Sequence, residues 1–322
     1  MLNVSSSPHI RHEDTTSGIM LDVIIALLPA AIFGCMIFGL HAALLICTCV
    51  LSAVLFEFLW NLILKKPQSV GDFSAVVTGL LLGMNLPPQT KIWVAVIGSF
   101  AAIIVVKQMF GGLGYNFVNP AIAARIILLV SFPQYLSGAK NYIEPYTNKL
   151  LSSPDVVTSA TPLEILNTTP DKIDIGELFF GKHAGAIGEV SALLLLLGGL
   201  YLVIRKVIKP TIPVAFIGTV ALLTYLFMGQ NLNLTLAYVL SGGLILGAVF
   251  MATDYVTSPT TNSGKLVFGI GCGLITFVIR KWGSLPEGVS YSIILMNILV
   301  PHINKLTARK QFGVKGVKTD GK

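Results

Sequence analysis

The stretch IMLDVIIALLPAAIFGCMIFGL, residues 19–40, and the stretch AALLICTCVLSAVLFEFLWNLIL, residues 42–64, decide the fold class. Each contains one acidic residue and no basic residue. A helix needs about 20 predominantly apolar residues to cross the hydrocarbon core of a membrane, and both stretches are that long. Neither has the regularly spaced polar positions that give a helix a water-facing side. We therefore predict that both are transmembrane helices.

The whole chain has the composition of a membrane protein. Of its 322 residues, 54% are hydrophobic and 11% are charged, and the mean hydropathy is +0.79. Soluble domains carry about 25% charged residues. Apolar runs occur at residues 19–40, 42–64, 73–86, 92–106, 117–132, 190–204, 212–228, 234–252, 266–279 and 289–300. These runs predict an all-α integral membrane fold with about ten transmembrane helices.

Several of the runs are shorter than a perpendicular span requires. We predict that some helices are broken or enter the membrane only partway, which is tolerated where protein or a cavity covers the freed backbone. The first run follows a polar stretch without a basic leader or a small-residue cleavage site, so we interpret it as the first helix and not as a signal peptide.

Basic residues set the predicted orientation. With the N-terminus in the cytoplasm, most Lys and Arg residues of the short loops lie on the cytoplasmic side, and the exceptions are Lys91, Arg280 and Lys281. The basic tail, residues 306–322, is then cytoplasmic, and the long polar segment 133–188 lies on the outer face. The net charge of +7 fits this topology and anionic lipid. The sequence has no basic patch with interleaved aromatic residues of the kind that binds nucleic acid.

The two halves of the chain are similar. VTGLLLG at residues 77–83 matches LSGGLILG at residues 240–247, and the fourth and ninth runs end alike, at Lys107 and Arg280. Five crossings per half would invert one half relative to the other, and inverted repeats with paired broken helices build sites near the midplane. We predict five-helix repeats over residues 1–132 and 189–305. Chance similarity of glycine-rich membrane segments is the alternative.

The cysteines give no metal-ligand pattern of their own. Cys35, Cys47, Cys49 and Cys272 all lie in apolar runs, which is typical of small buried side chains. An iron–sulfur cluster completed by partner cysteines is the alternative. We predict neither a metal site nor a catalytic residue in this chain.

The outer segment contains DVVTSATPL, residues 155–163. Ser159 and Ala160 are small, Thr161 offers a hydroxyl, and Pro162 biases Thr161 toward an extended backbone. Such a segment can be presented to a modifying enzyme. The alternative is a helix start with Thr161 as N-cap, Pro162 at the first position and Glu164 at the third. The two interpretations are compatible.

This nonapeptide resembles the flavinylation motif of the membrane subunits of the Rnf complex and of the sodium-pumping quinone reductase. The resemblance implies that a flavin transferase joins the phosphate of FMN to the hydroxyl of Thr161. The motif residues here are Asp155, Thr158, Ser159, Ala160, Thr161 and Leu163, with Ser159 in a place often held by glycine. GGLGYNFVNPA at 111–121, MATD at 251–254 and EGVSYSIILMN at 287–297 resemble other blocks of the family. The family fold is similar to that of urea channels, and the chain length favours the Rnf branch.

The resemblance also implies a second, noncovalent riboflavin among the helices. Asn116 and Asn119 are candidates to bind an edge of the flavin ring, with Asp254 approaching from the other half. An amide suits this edge because it offers both donors and an acceptor. Alternatively, Asn116 and Asn119 cap the fifth helix before Pro120.

Ionisable residues within apolar runs are costly and therefore informative. The candidates are Asp22, Glu57, Asp72, Arg125, Glu189, Asp254 and Glu287. Glu57 lies deepest in its run, and we predict that it is the carboxylate of an ion path, followed by Asp22. Arg125 is a candidate partner for one of these acids.

Together these features predict an electron-transfer subunit of a redox-driven, ion-translocating enzyme complex in the bacterial inner membrane. The resemblance implies that electrons pass from a second FMN-carrying subunit on the outer face to FMN on Thr161. They then pass through riboflavin toward cytoplasmic redox subunits, linking ferredoxin oxidation to NAD reduction and to movement of Na⁺ or H⁺. Two alternatives are a part similar to the B subunit of the Na⁺-translocating NADH:quinone reductase and a urea-channel-type solute transporter. The transporter alternative leaves the Thr161 segment without a purpose.

Overall fold

The computed structural model describes residues 15–138, 141–142, 145, 161–168, 174–283 and 288–308. Within these ranges the chain forms helices and connecting segments, without a β-strand. The helices are α1 Thr16–Phe38, α2 Leu40–Ile63, α3 Ser74–Met84, α4 Ile92–Phe100, α5 Pro120–Ser131, α6 Pro133–Leu136, α7 Pro162–Thr168, α8 Ile175–Phe180, α9 Ala192–Ile204, α10 Thr211–Phe227, α11 Leu232–Leu240, α12 Leu244–Leu246, α13 Asn262–Trp282 and α14 Val289–Leu306. Two π-helical segments, Ala101–Gln108 and Gly247–Met251, continue α4 and α12.

Every apolar run predicted from the sequence contains a helix. By length and composition α1, α2 and α13 can each cross a membrane, and α11 together with Leu244–Met251 forms a fourth candidate span. The other apolar helices are shorter. The all-helical membrane class is therefore confirmed, while the ten crossings and the inversion of the two halves stay predictions.

The eighth run is broken, although the sequence predicted breaks only in general and did not single out this run. α11 and Leu244–Met251 are bent by 65° at residues 241–243. The carbonyl groups freed at the end of α11 accept hydrogen bonds from the buried Arg280, at 2.7 Å for Tyr238 O and 3.1 Å for Ser241 O. A side chain of the fold thus compensates the break.

Some helix contacts recur in the two halves. α2 lies against α3 and α4, and in the second half α10 lies against α11 and α13. Corresponding helices also meet across the halves, α1 with α9 and α5 with α14. α1 and α9 approach each other closely at Gly198, where an added Cβ would stand 2.2 Å from Ala26 O. Small residues allow such approaches between helices in membranes. This packing supports the predicted repeat.

Residues predicted to share a membrane face come together. On one face, called the Ser17 face, Ser17 donates to Gly71 O at 3.1 Å and Lys209 donates to Asn262 at 3.1 Å. On the opposite face, called the Thr161 face, His41 Nε2 lies 3.0 Å from Thr90 O. The assignment of the Ser17 face to the cytoplasm stays a prediction.

The end of the predicted outer segment returns into the packed fold. Residues 184–190 are buried. The backbone amide of Gly188 donates to Met84 O at 2.7 Å, and that of Ile187 donates to Leu86 O at 3.2 Å. These bonds satisfy carbonyl groups at the end of α3, which would otherwise lack helical partners.

Candidate functional site

Thr161 stands at the start of a short helix that is anchored to the fold. α7 begins at Pro162, and the amide of Ile165 donates to Thr161 O at 3.1 Å, so the predicted helix start at Thr161 is confirmed. Leu163 and Leu166 are buried in a small cluster with Tyr238. Thr161 itself is half-buried. The other predicted motif residues, Asp155, Thr158, Ser159 and Ala160, lie outside the described residues.

A cavity opens beside Thr161, and we call it the Thr161 cavity. Its polar lining includes Thr161, Asn85, Arg125, His183, Glu189 and Ser290. Arg125 donates to Asn85 Oδ1 at 3.0 Å and to Ser290 Oγ at 3.2 Å, and its guanidinium lies 3.7 Å from Glu189 Oε1. The predicted pairing of Arg125 with an acid is confirmed, and Glu189 is that acid.

His183 contributes a half-buried imidazole, whose Nε2 atom is buried, to the Thr161 cavity. Its Nδ1 lies 3.0 Å from Ala184 O. Burial lowers the pKa of His183 below its ordinary value, because desolvation disfavours the charged form.

A second cavity lies toward the Ser17 face, and we call it the Lys107 cavity. Its polar lining includes Ser74, Thr78, Lys107, Asn116, Asn119 and Asp254. The loop before α5 contains Gly111, Gly112 and Gly114 with φ angles of 121°, 93° and 93°. These values favour glycine, because a Cβ makes them strained.

The structure brings together the three residues predicted to bind riboflavin. Asn116 donates to Val118 O at 3.1 Å, and it lines the same cavity as Asp254. Asn119 caps α5, because its Oδ1 accepts from Ala121 N at 3.0 Å and from Ile122 N at 3.3 Å. The capping alternative is therefore confirmed for Asn119 and wrong for Asn116. Contact of either residue with a flavin stays a prediction.

One residue, Met251, touches the linings of both cavities. Asn119 of the Lys107 cavity donates through Nδ2 to Met251 O at 3.2 Å. Asn85 of the Thr161 cavity has its Nδ2 3.7 Å from Met251 Sδ. A chain of three residues therefore joins the two cavities.

The two predicted ion-path acids lie near the Ser17 face but apart from each other. Glu57 is fully buried, and its Oε2 lies 2.7 Å from Lys107 Nζ. Asp22 accepts from Tyr201 OH at 2.8 Å, and its Oδ2 lies 3.3 Å from the guanidinium of Arg205. The sequence predicts the burial of Glu57 but not its cation, since in the sequence Lys107 is only a topology signal.

Comparison with known proteins decides the family. The sequence profile of the NQR2, RnfD, RnfE family matches residues 3–313. The chain belongs to this family. It is 47% identical to the D subunit of the Na(+)-translocating ferredoxin:NAD(+) oxidoreductase complex of Acetobacterium woodii, over 100% of this chain and 98% of the relative. It is 42% identical to the D subunit of the proton-translocating ferredoxin:NAD(+) oxidoreductase complex of Clostridium ljungdahlii, over 98% and 97%. It is 38% identical to the D subunit of the ion-translocating oxidoreductase complex of Stutzerimonas stutzeri, over 92% and 91%.

The side chains of this member of the NQR2, RnfD, RnfE family suit flavins in their chemistry. Asn116 and the remaining N–H of the Asn119 amide offer polar contacts, and Lys107 offers a positive charge, beside apolar walls such as Leu81 and Phe250. The Thr161 cavity encloses about 60 Å³ and the Lys107 cavity about 100 Å³. Small-molecule sites usually exceed roughly 300 Å³, so a flavin ring enters either cavity only when lining side chains move apart.

The sequence analysis missed several polar residues of the two cavities. Asn85, His183 and Ser290 of the Thr161 cavity are not among the predicted residues. A signal for Asn85 is present, because it is a polar residue at the end of a short apolar run, two residues before Pro87. The end of a broken helix is where polar ligands of a membrane site are expected.

Proposed function

We propose that this chain is the membrane electron-transfer subunit of an ion-translocating ferredoxin:NAD oxidoreductase complex. It carries FMN as a phosphoester on Thr161 and riboflavin in the Lys107 cavity, and it has no complete active site of its own. The names of its relatives support the complex, since each is the D subunit of an ion-translocating oxidoreductase assembly.

One observation carries the electron-transfer part of this proposal. Thr161 lies at the edge of one cavity, the predicted riboflavin ligands line the other, and Met251 contacts polar residues from both. A group tethered to Thr161 and a group in the Lys107 cavity would then be separated by little more than Met251 and its two neighbours. Such an arrangement suits transfer of electrons across the membrane interior.

The flavins, when bound, supply the redox chemistry, and the protein supplies placement and electrostatics. α7 holds the Thr161 hydroxyl near its cavity, because Leu163 and Leu166 are packed in the fold. Arg125 and Glu189 place a buried charge pair in the wall of the same cavity. Asn116 and Asp254, from the two halves, line the Lys107 cavity and would face a flavin bound there.

The proposal implies partners on both faces and in the membrane. At the Thr161 face, electrons arrive from a second protein of the complex that carries FMN, and membrane and cytoplasmic redox subunits accept them beyond the Lys107 cavity. A flavin transferase attaches FMN during maturation. The relatives differ in coupling ion, Na⁺ in one name and protons in another.

The test is covalent flavin on Thr161. The chain is coexpressed with a flavin transferase, denatured, and viewed under ultraviolet light on a gel, and its intact mass is measured. We expect a fluorescent band and an added FMN phosphoester mass for the wild type, and neither for Thr161→Ala. Thr161→Ser, which retains a hydroxyl, is the matched control and shows whether the tether needs threonine itself. A dark wild-type band with the mass of the bare polypeptide would refute the proposal, and measurable solute flux from that protein would favour a transporter.

A further inference from the structure

Lys107 is a buried cation, and the proposed path of electrons through the two cavities does not explain why it is there. Its side chain is 2% exposed, and it lies in the π-helical segment that continues α4. Its ammonium donates to Glu57 Oε2 at 2.7 Å and to Ser74 Oγ at 2.6 Å. Burying a charge pair costs desolvation free energy unless good geometry and further hydrogen bonds compensate for it. The positions of the Lys107 ammonium and the Glu57 carboxylate are therefore closely defined by their partners.

The same ammonium-bearing side chain has two different neighbours. On one side, Lys107 and Ser74 line the cavity that also contains Asn116 and Asp254. On the other side lies Glu57, whose Oε1 accepts from Ser69 Oγ at 2.6 Å. Ser69 lies in the connection between α2 and α3 and is only half-buried. Lys107 therefore stands between the cavity and a carboxylate whose second oxygen faces a residue near the surface.

We infer that Lys107 is the counter-charge that couples the charge of a flavin in this cavity to Glu57. This inference rests on the proposed function, which supplies the electrons from FMN on Thr161. Two electrons and one proton from water convert an oxidised ring to its reduced form with one negative charge. The Lys107 ammonium stabilises that negative charge, and its bond to Glu57 weakens correspondingly, because coupling between two sites is reciprocal. Lys107 is a positioning residue for Glu57 and an electrostatic contact of the ring.

The inference predicts opposite effects from the two members of the pair. Removing the cation disfavours the negatively charged reduced ring, whereas removing the Glu57 charge takes the ion-pair partner from the ammonium and favours the reduced ring. A pair that serves only the fold, without an electrostatic effect on the ring, has no reason to give opposite signs, because both substitutions disturb the same contact. The sign pattern is therefore the decisive observable.

The experiment measures the midpoint potential of the noncovalent flavin by spectroelectrochemical titration. The full-length chain carries Thr161→Ala, so that the noncovalent flavin alone contributes to the absorbance. We expect Lys107→Gln to shift the reduced-to-oxidised ratio at least tenfold toward the oxidised form, about 30 mV for a two-electron couple, and Glu57→Gln to shift it in the opposite direction. Lys107→Arg retains the charge and should stay near the parent value. Lys209→Gln, a cation on the same face that binds Asn262 and does not line the cavity, is the control for a general charge effect.

Each outcome separates this inference from the proposed function. Flavin present with unchanged potentials, or with shifts of the same sign in Lys107→Gln and Glu57→Gln, overturns the role of Lys107 alone. Absence of noncovalent flavin from the parent protein overturns both the inference and the riboflavin part of the proposed function. If Lys107→Gln loses its flavin, Glu57→Gln decides by its sign, because the ammonium is still in place.

Discussion

Breaking the buried pair of Glu57 and Lys107 should destabilise the fold far more than breaking a similar pair at the surface. Two unit charges 2.7 Å apart attract each other by about 6 kcal/mol at an effective dielectric constant of 20. Desolvation opposes this attraction, so the net value of the intact pair is small, but removing one partner leaves the other charge buried alone. We expect Glu57→Gln and Lys107→Met each to lower the free energy of unfolding by about 3–5 kcal/mol.

The double variant Glu57→Gln, Lys107→Met should cost less than the sum of the two single variants, with a coupling energy above about 2 kcal/mol. The assay is reversible unfolding of the detergent-solubilised chain, followed by circular dichroism. The matched control is Arg205→Gln, because its partner pair with Asp22 involves a guanidinium side chain that is 58% exposed and such pairs contribute about 0–1 kcal/mol. Additive costs for Glu57 and Lys107, within about 0.5 kcal/mol, would refute the reasoning that the two buried charges depend on each other.

Three further predictions concern other parts of the fold. Gly198→Ala should lower the free energy of unfolding by about 1–3 kcal/mol, because its new methyl group would meet Ala26 O. The control is Gly218→Ala in α10, where the methyl group would face open space, and it should be neutral or stabilising by up to about 1 kcal/mol. Equal losses in the two variants would contradict the close packing at Gly198. Arg280→Met should cost about 2 kcal/mol or more by removing the guanidinium hydrogen bonds to Tyr238 O and Ser241 O. The same unfolding assay measures it, and a cost under about 0.5 kcal/mol would show that the helix break needs no side-chain cap. Because burial lowers the pKa of His183, its imidazole is protonated in the unfolded state before it is protonated in the folded state as the pH falls below about 6.5. The wild type should therefore lose stability below that pH. An equally steep loss in His183→Gln would assign the effect to other groups.

Hydropathy predicted the positions of the long helices well because each of them coincides with an apolar run, whereas α6, α7 and α8 lie in the polar segment 133–188 and were not predicted from it. The break in the eighth run was not located beforehand, although Ser241, Gly242 and Gly243 are a local signal for it. The boundary between α1 and α2 lies at Gly39, whose φ of 81° permits a sharp reversal. Local sequence therefore determines where helices begin, end and bend.

Tertiary pairing was harder to predict from one sequence. Lys107 and Glu57 are 50 positions apart, and nothing in either local pattern indicates the other. Arg280 appeared to violate the charge rule for the outer face, but the structure buries it against two carbonyl groups of α11. Counting charges treats every Lys and Arg as exposed, and for such a residue that assumption is wrong.

The end of the polar segment 133–188 was placed on the outer face with the rest of that segment, on the count of basic residues. Its small residues, Ala184, Gly185, Ala186 and Gly188, instead allow the backbone to enter between α1 and α3. In contrast, the proximity of Asn116 and Asp254 was predicted correctly, because the resemblance to a family placed both near one ligand. Both residues line the Lys107 cavity.

The anchoring of α7 lowers the affinity that the neighbouring cavity needs for a ligand attached at Thr161. A molecule attached at Thr161 cannot diffuse away, and short tethers give local concentrations on the order of millimolar. A cavity with weak intrinsic affinity would then remain largely filled, and synthetic ring analogues attached at the same hydroxyl would be retained regardless of how well they fit. The residues that line the cavity can then be selected for their effect on the reactivity of the attached ring, and not for binding affinity.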